Sequence, residues 1–379
     1  MPELADLRFC SGCAACFNAC PVGSIEMREN SEGFLYPIVN KDSCTECKLC
    51  ENVCPVLNPF QRKEPLETFA AKNRNSSIRL ESSSGGIFSL IAERIIHEGG
   101  VVFGACYNDS MQVEHNFTES LAELNRFMGS KYIQGNIDHC YRQAAHFLDS
   151  GRKVLFSGTP CQIAGLNHYL HRDYADLLTI EVVCHGVPSP KVWRHYLDTL
   201  NINLNHASVN FRDKQNGWQH YNFTISDSIS GSVLFTEPAS QNLFMKGFLR
   251  NLYLRPSCHH CVSKAFTSGA DIVLGDFWGI RNYYPEFDDD KGVSLVIALS
   301  QKGVDLFNCL SPDCIEIDYK QALAGNPSIE YSSTCHPNRA RFFALLNKNK
   351  IKADCLINDC LKPAALDKLK SIILKIIRK

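Results

Sequence analysis

Long apolar runs are missing from this 379-residue chain. None approaches the ~20 residues that a membrane-spanning helix requires. An excess of charge is missing as well: thirty-nine lysines and arginines stand against forty aspartates and glutamates, a formal charge of −1. No global positive field is available for a polyanion, which argues against a nucleic-acid partner. The opening residues, "MPELADLRFC", lack the charged-then-apolar pattern of a secretory signal, so a cytoplasmic location is expected. The thirteen histidines form no H-E-x-x-H or comparable metal motif.

Cysteine, in contrast, is plentiful: there are nineteen. In a reducing compartment, clustered cysteines point to metal rather than to disulfides. The rest of the composition, 45% hydrophobic and 21% charged, is that of an ordinary globular protein, long enough for two or three domains.

One unusual phrase is written twice. "CSGCAACFNACP" at residues 10–21 and "CTECKLCENVCP" at 44–55 both read C-x2-C-x2-C-x3-C-P. Three thiolates at this spacing can hold three corners of a cubane, while the fourth is carried away towards a second cluster. Cys10, Cys13, Cys16 and Cys54 are therefore assigned to one [4Fe-4S] centre, and Cys44, Cys47, Cys50 and Cys20 to another. The stretch between them, "GSIEMRENSEGFLYPIV", reads as short strands around a turn. Paired zinc sites are the competing reading, but zinc has no use for the third cysteine or the doubled C-P. Two adjacent clusters form a relay for single electrons, which implies a donor outside and an acceptor further along the chain.

Beyond the connector "VLNPFQRKEPLET" the pattern changes. "SSSGGIFSLIAERIIHEGG" predicts a serine-capped helix stopped by Gly-Gly, followed by "VVFGACY" as a buried strand. A helix over roughly 137–149, the strand "KVLFSGTP", a helix starting near Cys161 and the strand "LLTIEVVC" continue the alternation. Residues 207–237 read as antiparallel strands, and "DIVLGDFWG" and "VSLVIALS" as buried ones. The expected fold is an α+β ferredoxin-like head (residues 1–60), an α/β domain (61–330) with a mostly parallel sheet and a β-rich insertion, and a helical tail (331–379).

Ligands in such sheets bind at the carboxyl ends of strands. Cys161 and Cys184 fall there, and "RPSCHHC" adds Cys258 and Cys261 just before another strand. These four can form a third [4Fe-4S] site. Cys106, at another strand end, is the rival ligand, and Cys258 and Cys261 with His259 and His260 also read as half a zinc site or a redox pair. Cys140, Cys309, Cys314, Cys335, Cys355 and Cys360 are scattered and read as structural. "SSSGG" at 82–86 and "SGTP" at 157–160 suit either a phosphate or a plain helix cap. "FRDK" at 211–214 and "GDFWG" at 275–279 place charged and aromatic groups in loops that line a cofactor or merely the surface.

Together, the head and "SSSGGIFS", "GSKYIQG", "VLFSGTPCQIAGL", "VVCHGVPSPKVW", "FRDK…GW", "RPSCHHC" and "DIVLGDFWG" resemble the coenzyme F-420 hydrogenase/dehydrogenase beta-subunit family, from about residue 5 to about residue 300. The resemblance implies an iron–sulfur flavoprotein oxidoreductase. Electrons would pass from a ferredoxin or another redox protein through [4Fe-4S] clusters to FAD and on to an organic acceptor. Acceptors in the family include a deazaflavin and tetrapyrroles, and bacterial members often accompany polysaccharide synthesis. By motif, Cys161, Cys184, Cys258 and Cys261 match the family's core cluster. Ser83, Ser84, Gly85, Gly86, Lys131, Thr159 and Asp276 become candidates for the flavin pocket. Lys131 and His185 are candidate proton donors, although no catalytic residue is named outright. The competing reading is a non-catalytic electron-transfer subunit of a larger redox complex.

Finally, "LDKLKSIILKIIRK" at 366–379 spaces apolar residues on one helical face. It reads first as a terminal helix packed on the domain and second as a weak membrane-surface contact at the inner face of the membrane.

Overall fold

The computed structural model describes residues 1–348 and 351–362. The two cysteine phrases fold alike. Each ends in a short helix, α1 (Ala15–Ala19) and α2 (Leu49–Asn52). Each helix is entered through two left-handed residues at equivalent places: Gly12 and Ala14 in the first phrase, Glu46 and Lys48 in the second. Left-handed backbone at a non-glycine residue costs ~1–2 kcal/mol. Alternating right- and left-handed residues turn successive N–H groups into a concave anion-binding nest of the kind found at Fe–S sites. Between the phrases, β1 (Ile25–Glu29) pairs antiparallel with β2 (Leu35–Val39), as expected of strands around a turn.

The remaining elements run β3 (Glu67–Lys72), α3 (Ser76–Glu81), α4 (Ile87–His97), β4 (Val101–Tyr107), β5 (Val113–Thr118), α5 (Cys140–Asp149), β6 (Val154–Gly158), α6 (Pro160–Leu170), β7 (Leu177–Val182) and α7 (Pro190–Leu197). They continue with β8 (Ala207–Asp213), β9 (Asn222–Asp227), β10 (Val233–Pro238), α8 (Leu243–Leu249), β11 (Ile272–Asp276), β12 (Ser294–Ala298), α9 (Gln301–Leu310), β13 (Asp313–Glu316), α10 (Tyr319–Gly325), α11 (Arg339–Leu346) and α12 (Ala353–Leu361).

Among the described residues, eight strands form one sheet in the order β13-β3-β12-β11-β7-β6-β4-β5. Its centre, β11-β7-β6-β4, is parallel, while the strands on either side pair antiparallel. The sheet is thus mixed, with parallel pairing confined to the central βαβ units. Both faces are covered. Val102, Leu155, Leu178 and Val296 pack under α4 and α9 on one face. Their neighbours Val101, Val154, Phe156, Leu177 and Ile297 pack under α5 and α6 on the other. This two-sided burial is why β4 and β12 read as buried strands. Ala14, Ala15 and Val53 of the head join the α5/α6 core. The β-rich insertion is a separate antiparallel sheet, β10-β9-β8.

Two local expectations are corrected. The cap of α4 is Gly86 in left-handed backbone, with no side-chain cap, because the serine hydroxyls are used elsewhere: Ser84 Oγ donates to the Val293 carbonyl and Ser83 Oγ accepts from Ser130 N–H. The helix expected over 137–149 begins at Cys140. At the C-terminal end, α11 and α12 bury Phe342, Phe343, Leu356 and Ile357 in a core with Trp193 and Phe244. The amphipathic segment 366–379 lies outside the described residues. No described helix is long and apolar enough to cross a membrane.

Candidate functional site

Twelve of the cysteines line three small cavities, four to each. The first is walled by Cys10, Cys13, Cys16 and Cys54, the second by Cys20, Cys44, Cys47 and Cys50. The fourth cysteine of each phrase has crossed to the other's cavity because α1 carries Cys16 at its start and delivers Cys20 just past its end, and α2 does the same with Cys50 and Cys54. The third cavity is walled by Cys161, Cys184, Cys258 and Cys261. Cys161 comes from the first turn of α6, Cys184 follows β7, and the other two sit in the loop before β11. Cys106 is buried in β4 and does not line it.

The donor sets suit iron–sulfur clusters. Burial pushes the Cys13 thiol up to about 12, Cys258 to about 11 and Cys261 to about 12, so cationic metal is what would hold these sulfurs as thiolates. Among the described residues no group of three or more His, Cys, Asp or Glu side chains closes on a point as one metal ion would require. A single zinc would draw its four sulfurs to about 3.8 Å from one another. Nor do the histidines of "RPSCHHC" complete a zinc site: His259 Nδ1 lies 2.9 Å from the Ser333 carbonyl and His260 packs edge-on against Phe9.

The cavities stand in series. Cys47 of the second is exposed. α1 and α2 join the second cavity to the first. Ser11 lines both the first and the third. Beyond the third lies a cavity of about 670 Å³, and the two share Cys184, His185, Gly186 and Val187.

This large cavity opens at the carboxyl ends of the parallel strands, where Ala105, Gly158, Thr159, Val183, Gly275 and Asp276 line it, as the topology of such sheets requires. Of the proposed flavin contacts, Ser83, Ser84, Gly86, Lys131, Thr159 and Asp276 line it. Gly85 lies behind them: its N–H donates to Ser294 Oγ, and a Cβ there would meet the Ala71 carbonyl at 2.4 Å. Thr159 and Gln162 form a capping box at the start of α6.

"FRDK" and "GDFWG" meet across the cavity wall. Arg212 donates to both Asp276 oxygens, at 2.8 and 3.2 Å, and Trp218 Nε1 donates to the same carboxylate at 2.8 Å. The Arg212 guanidinium lies over the rings of Tyr221 and Trp278, 4.1 and 4.8 Å from their centroids. Trp278 in turn stacks on Trp218. Lys214 is held by the carbonyls of Arg79, Ser84 and Lys291, and burial pushes it down to about 7.

The two candidate proton donors are placed differently. Lys131 is desolvated and pushed down to about 8, its Nζ donating to the Met128 and Gly129 carbonyls. His185 sits where the third and large cavities adjoin, Nε2 donating to Asn251 Oδ1 at 2.6 Å. Burial lowers its pKa. Sequence reasoning missed His115, a cavity residue whose Nε2 meets the Ser157 carbonyl at 3.1 Å and which burial holds at about 4. It missed Arg255 and Lys264 at the third cavity as well. Arg255 opens "RPSCHHC", but nothing in that motif signals its contact with the head, and no motif surrounds His115 or Lys264, so only the long-range packing reveals their places.

Comparisons with known proteins bear on the same two regions. Residues 9–58 match the family model described as a 4Fe-4S dicluster domain. Residues 151–321 match the model for the C-terminal part of the coenzyme F420 hydrogenase/dehydrogenase beta subunit. A curated relative, an F(420)H(2) dehydrogenase subunit from Methanosarcina mazei, is 27% identical over 176 residues, 42% of this chain. The chain spans about half (49%) of that relative's length. A chain in the structure of the F420-reducing [NiFe] hydrogenase complex from Methanosarcina barkeri aligns with a TM-score of 0.48 and 17% identity, over 79% of this chain and 91% of that one. The chain thus joins, in one sequence, a match to a 4Fe-4S dicluster domain at residues 9–58 and a match to the C-terminal part of the coenzyme F420 hydrogenase/dehydrogenase beta subunit at residues 151–321.

Proposed function

We propose that the protein is an iron–sulfur flavoprotein oxidoreductase that takes single electrons from a ferredoxin-like donor and delivers them in pairs to an organic acceptor. The observation carrying this reading is the shared wall Cys184–Val187, which sets a four-cysteine cavity directly against the 670 Å³ cavity. The exposed end of the series, at Cys47, is where a donor protein would dock.

FAD suits the large cavity. Its diphosphate would lie against the Ser82–Gly86 loop and the N-terminus of α4, where free N–H groups and the helix dipole favour an anion. Bound there, FAD would supply the conversion between one- and two-electron chemistry. The chain's own residues bind and orient: Lys131 adds positive charge, Arg212 and Asp276 fix the wall opposite, and the apolar rim excludes water. Of the two candidate proton donors, Lys131 would lie nearer the diphosphate, since its neighbour Ser130 bonds Ser83, and His185, at the wall shared with the third cavity, would lie nearer a reacting atom.

Anaerobically purified protein should contain about twelve iron per chain and one FAD, and reduced ferredoxin should bleach the flavin absorbance. Eight iron with no flavin would overturn the reading. A second reading, an electron-transfer subunit whose flavin serves another protein, is favoured by the match to a beta-subunit family. Turnover of a small acceptor by the isolated chain would exclude it.

A further inference from the structure

Two buried cations wall the third four-cysteine cavity, and neither has a carboxylate. Arg255 is 0% exposed. Its Nε donates to the Cys10 carbonyl at 2.8 Å, Nη1 to Gln134 Oε1 at 2.9 Å and Nη2 to the Leu35 carbonyl at 2.9 Å. Nη2 also stands 4.0 Å from Cys10 Sγ, a wall of the first cavity. Lys264 is 6% exposed and donates to the carbonyls of Cys184 and Ser328. Other largely buried arginines here are paired: Arg79 with Asp289, Arg212 with Asp276 and Arg339 with Glu32. Among the described residues no Asp or Glu lies in ion-pair contact with Arg255 or Lys264. Glu181 feels the Lys264 charge, but burial pushes its carboxyl up to about 7, and the hydroxyl of Ser268 is its hydrogen-bond partner.

A buried cation without a countercharge is costly. The sulfurs provide one once metal is bound. Four thiolates outweigh the charge of a cubane core, leaving a loaded site about two units negative, and more so when reduced. In the low-dielectric interior that charge is felt strongly and is little screened by salt.

We propose that Arg255 and Lys264 are the countercharges of the clusters at these cavities, Arg255 serving the first and third and Lys264 the third. This rests on the reading that the third cavity holds a cluster. A fixed positive charge favours the more negative state of a neighbour, so both residues raise the reduction potentials of the inner centres and bias electrons inward from the second. They are positioning residues in the electrostatic sense, touching no substrate. Gly12 makes the arrangement possible: a Cβ there would lie 2.8 Å from Arg255 Nη1.

The test is a dithionite titration of the anaerobic full-length holoprotein, with redox mediators, followed by electron paramagnetic resonance. Signals are assigned with Cys161→Ser and Cys44→Ser. Arg255→Gln should shift the first and third centres to lower potential and leave the second in place, as an internal reference. Lys264→Gln should shift the third alone. Arg255→Lys should restore most of the potential even if the lost fork weakens the fold. Unchanged potentials at full iron content, or a uniform shift of all three centres, would overturn the proposal. If Arg255→Gln fails to retain iron, Lys264→Gln decides by itself: an unmoved third centre refutes the proposal. A wild-type protein with about eight iron and no third signal would defeat the three-cluster reading instead, and the shift of the first centre in Arg255→Gln would still be measurable.

Discussion

Gly165 of α6 lies so close to Cys13 of the head that a Cβ on it would stand 3.0 Å from Cys13 Cβ and 3.1 Å from its Sγ. Tyr141 Oη would be 2.9 Å away. The glycine is what lets the first cluster site press against α6, the helix that carries Cys161 in its first turn. Alanine at a helix interior normally gains ~1 kcal/mol over glycine, whereas overpacking costs ~1–3 kcal/mol. Gly165→Ala is therefore expected to lower stability by up to about 2 kcal/mol and to speed iron release to a chelator. Thermal unfolding and chelator kinetics on the anaerobic protein check this, and a stabilised variant would count against the contact.

The crossing of the fourth cysteines has its own signature. Cys54→Ser should abolish the same resonance signal as Cys10→Ser, and Cys20→Ser the same as Cys44→Ser. Each should remove about four iron per chain. Cys106→Ala, outside all three cavities, should leave the iron content intact.

Asp276→Asn would leave the Arg212 guanidinium, 2% exposed, without its charge partner. Breaking a buried pair on one side costs ~3–5 kcal/mol. The double variant with Arg212→Met should recover part of that loss, because the uncompensated charge is gone. Denaturant unfolding of wild type and the two variants measures both effects.

Lys131 gives a pH dependence. Burial pushes it down to about 8, so it is cationic below that pH and neutral above it. Attraction for the flavin diphosphate should weaken as pH rises through 8, well before an ordinary lysine would titrate. Loss of one charge-assisted contact is worth ~1.5–3 kcal/mol, roughly 10- to 150-fold in FAD affinity once deprotonation is complete, of which one proton titrating at about 8 shows at most about tenfold between pH 7 and 9. Flavin-fluorescence titrations from pH 7 to 9 should show the drop in wild type and a flat profile in Lys131→Gln.

His115 acts on stability in the opposite pH range. Its folded pKa, about 4, lies below the ordinary 6.5, so the folded state resists the proton that the unfolded chain accepts. Its contribution is complete above pH 6.5 and is lost as pH falls through 4. The total is about 3 kcal/mol. His115→Gln should narrow the difference in unfolding temperature between pH 7 and pH 5. An unchanged difference would show that His115 does not drive it.

Much of this was legible in the amino-acid order alone. The spacing of Cys10 to Cys20 and of Cys44 to Cys54 specifies two cluster sites because ligands so few residues apart must share one turn of backbone, and the doubled phrase duly folds twice the same way, down to matching left-handed residues. Apolar runs marked β4 and β12 as buried strands. Local pattern says nothing, however, about which strands become neighbours. The antiparallel flanks of the sheet depend on long-range pairings such as β3 with β12, which the expectation of a mostly parallel sheet did not locate. Only strand order, β11 beside β7 beside β6, gathers Cys161, Cys184, Cys258 and Cys261 around one cavity. Only packing across 245 positions brings Arg255 to Cys10. Short-range spacing thus determined where the outer iron–sulfur centres form, and the tertiary fold decided their order, their countercharges and the cavity at the end of the series. The reason is that bonds along the chain limit nearby residues to a few arrangements, whereas distant ones meet only when a buried sheet and its covering helices hold them there.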